Sequence, residues 1–229
     1  MVSLTFDDGL ANQISAAETL ANAGLKATFY VCSGQVGSPG LMSWSELRAL
    51  ARSGHEVGGH TVDHVDLTSL AADAAQRQIE LDRKALLAHG FEAVSFAYPY
   101  GARNGEVRKL VRLAGYRSGR RAWGLLRPGA AGDYGSDFPP SESIPPVDRL
   151  QIRTVDCVES TTTLDDLQLA VIRAEGGGGW LPLVFHDIME GGGRYATSLR
   201  TLEDLTAWLA ERGTPVRTVG EVISGRSYR

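Results

Sequence analysis

Short apolar runs closed by Gly, Pro or Asp alternate with stretches of helical period along nearly the whole chain, and this alternation constrains the fold more than any other feature. A strand that feeds a helix meets the next strand in parallel, so repeated units of this kind build a parallel sheet with helices outside it. Strands are predicted at 2–6, 27–32, 56–58, 93–98, 116–119, 150–155, 181–185 and 216–218, and helices at 12–23, 44–53, 69–89, 105–113, 164–175 and 198–212. Ser43 and Glu46 have the spacing of a capping box at the start of the second helix. Seven to eight strands with helical crossovers make an α/β protein, a single (β/α) barrel that is distorted or incomplete. The Gly- and Pro-rich stretch 120–147 is expected to be a long surface loop beside the barrel mouth.

The 229 residues, 43% of them hydrophobic, are enough for one substantial core, and residues 1–229 are expected to form one domain. A net charge of -4 with scattered basic residues argues against a nucleic-acid partner. No apolar run approaches the roughly 18 residues that span a bilayer, so membrane insertion is not expected. The chain enters an apparent core strand at Val2 with no signal peptide, which carries the expectation of a leader removed upstream. Cys32 and Cys157 permit at most one bridge, and two small buried thiols is the simpler expectation.

The polar clusters fall where predicted strands end: Asp7-Asp8, His60 and His64, Tyr98-Pro99-Tyr100-Gly101, Asp156 and His186. In a barrel those ends share one mouth, where active sites of this architecture lie. Adjacent carboxylates leaving an apolar strand repel each other, and a cation between them keeps both ionised. Thr5-Phe6-Asp7-Asp8-Gly9 also reads as a plain turn with an Asp cap. His60 and His64 can face the same way on a helical turn, and with Asp8 they make a three-ligand face suited to zinc, and also to cobalt, nickel or manganese. His186, after a buried strand, has the chemistry of a proton donor near neutral pH, although a structural histidine would look the same. Asp63 and Asp66 read as solvated or supporting groups, and His55 and His89 as helix-end residues. Trp123 and Trp180 suit either a sugar subsite or the core.

With these residues assembled, the sequence resembles the NodB-type polysaccharide deacetylases, carbohydrate esterase family four. Thr5-Phe6-Asp7-Asp8-Gly9 matches the first motif, His60-Thr61-Val62-Asp63-His64 the second, Tyr98-Pro99-Tyr100-Gly101 the end of the third, and Leu183-Val184-Phe185-His186 looks like the last. The resemblance implies Asp7 as general base, Asp8, His60 and His64 as ligands of one divalent ion, most often zinc, and His186 as general acid. It also implies the Tyr100 backbone amide in the oxyanion hole. Many members carry an Arg shortly before the Pro of the third motif, whereas Ala97 stands here, as in a subset with the Phe-Ala-Tyr-Pro-Tyr-Gly form. Arg153 is expected to reach Asp7 in its place, and Asp156 to pair with His186. The substrate implied is an acetylated glycan, outside the cytoplasm or at the cell envelope. N-deacetylation leads, with O-deacetylation, a non-catalytic sugar-binding barrel and a deacylase for a small non-sugar amide as competing readings.

Overall fold

The computed structural model describes residues 1–126 and 138–225. Seven strands, β1 (Val2–Phe6), β2 (Ala27–Val31), β3 (Glu56–Gly59), β4 (Ser95–Ala97), β5 (Ser118–Gly124), β6 (Ile152–Thr154) and β7 (Leu181–Phe185), pair in the order β6-β5-β4-β3-β2-β1-β7. Every neighbouring pair is parallel. The two end strands approach each other: Val158 N donates to Val184 O at 2.8 Å, and Glu142 bridges Trp180. The result is a nearly closed, distorted (β/α) barrel. Around it lie α1 (Gln13–Asn22), α2 (Trp44–Arg52), α3 (Ala72–Ala88), α4 (Gly105–Ala114), α5 (Leu164–Gly176) and α6 (Leu199–Glu211), with a short α7 (Val219–Ser224) after them.

Local chemistry sets the helix limits. Ser43 and Glu46 cap each other at the start of α2, as do Thr163 and Asp166 at α5. Gly115 ends α4 with φ 99°, a conformation that costs a residue with a Cβ far more.

Strand side chains alternate between two faces, and the faces differ in chemistry. Val2, Leu4 and Phe6 of β1, Phe29 of β2, Phe96 of β4, and Leu183 and Phe185 of β7 join the large apolar cluster that packs the wall against the helices. Phe6 stacks on its register partners Phe29 and Phe185 at 4.9 and 5.3 Å. The opposite face carries Ser3, Thr5, Asp7, Thr28, Tyr30, Glu56, Ser95, Ser118 and Arg120, so the barrel interior is largely polar. Several of those groups are tied by hydrogen bonds: Glu56 accepts from Thr28 and Ser95, Thr5 Oγ1 donates to Leu183 O, and Trp180 Nε1 donates to Ser3 Oγ at 2.9 Å. A small apolar group of Ile152, Trp180, Val219 and Ile223 lies at the end away from the mouth.

Two expectations need correction. The eighth strand at 216–218 is reduced to one bridge from Val216 to Val2, because Thr218 already caps α7 together with Glu221. The surface loop does not start at residue 120, since β5 runs on to Gly124. Residues 127–137 of that loop lie outside the described residues. Cys32 and Cys157 are both free thiols. Among the described residues no helix is long and apolar enough to cross a membrane.

Candidate active site

The mouth is built from strand ends. Directly after β1, Asp7 remains in register with its neighbour, its amide donating to Phe185 O at 3.0 Å, and its carboxylate points into the barrel almost fully buried. Asp8 then turns away through a left-handed φ of 73°. Gln13, from the first turn of α1, holds this corner by donating to Asp7 O at 2.5 Å and to His186 O at 3.0 Å.

His60 follows β3. Its Nδ1 bonds to Ala97 O at 2.8 Å, which leaves Nε2 for the mouth, 3.5 Å from Asp8 Oδ1. His64 returns to the same oxygen, with Nε2 at 3.3 Å, after a turn in which Thr61 and His64 have positive φ and Thr61 Oγ1 accepts from His64 N. One atom each from Asp8, His60 and His64 lie within 4.8 Å of one another. Asp8 Oδ1 is buried and receives no well-formed hydrogen bond among the described residues. A tetrahedral ion with bonds of about 2.0–2.1 Å sets its ligands roughly 3.3 Å apart, so two imidazoles and a carboxylate at these separations fit a divalent cation. Burial alone would raise the Asp8 carboxyl, but the imidazoles of His60, His64 and His186 outweigh it and hold the group down at about 2. Burial lowers His60 while Asp8 and Asp7 raise it, with a net rise; His64 ends lowered, with burial the larger cause.

The partner of Asp7 is Arg120 of β5. One guanidinium nitrogen lies 2.5 Å from both Asp7 oxygens, and another donates to Arg121 O at 2.8 Å. Since β1 and β5 are not neighbours, this pair spans the barrel, with both side chains buried. Tyr30 lies beneath, its ring centroid 5.0 Å from the guanidinium carbon. Arg120 is the register partner of Ala97, so the charge that Ala97 does not supply comes from the adjacent strand.

Arg153 therefore does not serve Asp7. Strand alternation puts Ile152 and Thr154 inside and Arg153 outside, where Nε and Nη2 grip Glu142 at 3.0 and 2.7 Å. His186 reaches the mouth from β7, with Nε2 3.9 Å from Asp7 Oδ2 and Tyr195 packed 5.2 Å from its ring. Its Nδ1 has no hydrogen-bond partner among the described residues, so that nitrogen makes no hydrogen bond to Asp156.

Tyr100 is 62% exposed, in a left-handed turn with φ 57°, and its ring packs 4.7 Å from that of His64. Trp123 is half-exposed beside Gly101, whereas Trp180 is core. Asp63 is tied to Gln78 and Asp66 caps the turn at Leu67–Ser69. His55 is buried and accepts from Ala27 N, and His89 stacks on Trp44.

Sequence reading missed Arg120, Gln13 and Tyr195. For Arg120 a signal existed: two residues beyond Ser118, it continues the inward face of a strand that had been ended at Gly119. Gln13 and Tyr195 stand in no motif.

The polysaccharide deacetylase family model matches residues 1–119, and the chain belongs to that family. It is 34% identical over 116 residues to the peptidoglycan-N-acetylglucosamine deacetylase of Listeria monocytogenes, covering 49% of this chain and 24% of the relative. It is 34% identical over 120 residues to a chitooligosaccharide deacetylase of Rhizobium leguminosarum bv. trifolii, covering 51% and 54%. These alignments span about half or less of the relatives' own length. In three dimensions it is similar to the Xyl-CE4 domain of a multidomain xylanase from the hindgut metagenome of Trinervitermes trinervoides, with TM-score 0.65, 21% identity, and coverage of 98% of this chain and 89% of that one.

Proposed function

We propose that this chain is a metal-dependent hydrolase that removes N-acetyl groups from an amino-sugar polysaccharide or oligosaccharide. The observation that carries the reading is the different company of two adjacent carboxylates: Asp7 has its cation in Arg120, while Asp8 meets two imidazoles and has none.

A divalent ion held by Asp8, His60 and His64, with zinc the best match to this donor set, would polarise the acetyl carbonyl and acidify a water molecule. Asp7 takes the proton of the attacking water. Arg120 balances the charge of Asp7 and fixes the direction of its oxygens, which keeps the base aimed at one point. The Tyr100 amide donates to the developing oxyanion. His186, on the other side of Asp7, gives a proton to the departing amine through Nε2. Binding would draw on the exposed rings of Tyr100, Trp123 and Tyr195, because sugar faces pack on aromatic surfaces. Ala97, with Arg120 as its register partner, supports reading the chain as one of the subset whose third motif lacks the Arg. The deacetylase activities of the relatives, on peptidoglycan and chitooligosaccharide, support a glycan substrate at the cell envelope or outside the cell.

Acetate release is the test, from peptidoglycan fragments, chitooligosaccharides and acetylated xylan, with chelator and with single metals restored. Release from the amino sugars that stops with chelator and returns with zinc supports the reading. Release unaffected by metal removal, or none from any glycan, sinks it; preference for xylan moves the chemistry to ester cleavage.

A further inference from the structure

Helix α3 carries an acid where its apolar stripe should continue. Ala75, Ile79 and Leu86 are the helix's other buried positions, and Asp82 completes the stripe at 0% exposure. A carboxyl there needs partners, and it has two: Tyr116 OH donates to Oδ2 at 2.6 Å and Ser33 N to Oδ1 at 3.3 Å. The group lies against the outer face of β3, where a Cβ on Gly59 would overlap both Asp82 and the Tyr116 hydroxyl. Gly59 is the residue before His60.

One helical turn earlier, on the same face of α3, Gln78 reaches the next part of the same segment. Its Oε1 accepts from Val62 N and Asp63 N, both at 3.1 Å, and its Nε2 donates to Asp63 Oδ2 at 2.6 Å. The other flank of the segment is held by the chain leaving β2: Ser33 N donates to Thr61 O at 3.2 Å and Gly34 N to Val62 O at 3.0 Å. The turn between has positive φ at Thr61 and His64, a conformation non-glycine residues keep only when their surroundings enforce it.

We propose that Gln78 and Asp82 are positioning residues that hold the backbone of residues 59–63 in the turn aiming His60 and His64 at Asp8, so that the ion-binding geometry exists before an ion arrives. Neither side chain touches ion or substrate; each acts through the backbone that carries the ligands. The gain is entropic, since a loop already ordered loses little freedom on binding. This inference rests on reading Asp8, His60 and His64 as an ion site.

Hydrogen exchange in the metal-free protein and titration with zinc or cobalt test it together. In Gln78→Ala the Val62 and Asp63 amides should exchange at least about tenfold faster, and ion affinity should fall by roughly 10–100-fold, the range for groups that orient ligands. Gln78→Glu keeps the acceptor but sets a carboxylate against Asp63, so it should also weaken the ion. Adding Asp63→Asn restores the third hydrogen bond and should recover affinity, a rescue that a general packing role would not give. Unchanged exchange and unchanged affinity in Gln78→Ala overturn the proposal. If the wild type binds neither ion, the reading of the ion site fails instead, and the amide exchange rates alone then decide whether Gln78 orders the loop.

Discussion

The two sides of the barrel mouth hold carboxylates one residue apart, and the fold treats them in opposite ways. On the Asp7 side the charge is settled within the chain: the side chain is buried, Arg120 crosses the barrel to meet it, and Gln13 fixes its backbone. On the Asp8 side the residue turns out of the strand at positive φ, is about one-third exposed, and shares an oxygen with two imidazoles that cannot neutralise it unless protonated. Adjacent carboxylates left alone would repel and take up protons. The barrel keeps them distinct by sending one inward to a permanent cation and the other outward to two imidazoles, a donor set that suits a metal ion. The lesson is that two carboxylates adjacent in sequence can be given different partners when a strand end sends them in different directions.

The comparison breaks most readily at Arg120. Arg120→Ala leaves the Asp7 carboxylate buried and uncompensated, and should cost about 3–5 kcal/mol in denaturant unfolding, with a loss of acetate release. Arg120→Lys should recover part of both, since charge returns without the planar fork. Wild-type stability in the alanine variant would mean that Asp7 does not depend on this pair.

A second prediction concerns the acid behind the Asp8 side. Burial pushes the Asp82 carboxyl up to about 7, against the lowering effect of its bonds to Tyr116 and Ser33. Between about pH 4 and 7 the folded chain thus holds a proton that the unfolded chain has released, so this residue's contribution to stability falls as pH rises through that window. Asn at position 82 takes up no proton. In the metal-free proteins, Asp82→Asn should gain on the wild type from pH 5 to pH 8 by at most about 3 kcal/mol. A difference that stays flat with pH contradicts this.

Arg153 gives the smallest effect and sharpens the contrast with Arg120. Its pair with Glu142 lies on the outer face, and in Arg153→Ala the amides of Arg153 and Ser143 still serve Glu142. Stability should fall by about 1–2 kcal/mol, with kcat/KM for acetate release within about twofold of wild type. A large loss of turnover at constant stability would return Arg153 to the active site.

The parts of the molecule that were legible in sequence are those where one local pattern determines one outcome. Apolar alternation locates β1, β2 and β7, and the motif residues at strand ends do converge: Asp8, His60 and His64 meet, and His186 faces Asp7. Arg120 escaped because a charged residue after Ser118-Gly119 reads as the start of a loop. Only the polar interior of this barrel makes it a strand residue, and that interior emerges when Ser3, Thr5, Asp7, Thr28 and Ser118 are seen to share one face. Arg153 was favoured for its charge and position in the chain, but its neighbours Ile152 and Thr154 take the inward positions. The pairing of Asp156 with His186 rests on order along the chain, which does not constrain where side chains point. Gln78 and Asp82 left no trace beyond an acid in an apolar stripe, since their role depends on contacts between elements far apart in sequence.

The most direct test of the central claim is to measure bound ion and acetate release in the same preparations of wild type, Asp7→Asn and Asp8→Asn. Asp7→Asn should keep a full complement of ion and lose at least about 10²-fold in turnover, because an amide cannot take the proton of the attacking water. Asp8→Asn should lose the ion, and turnover with it. An Asp7→Asn variant that sheds its ion while Asp8→Asn retains it, or one that turns over normally, would contradict the division of labour between the two carboxylates.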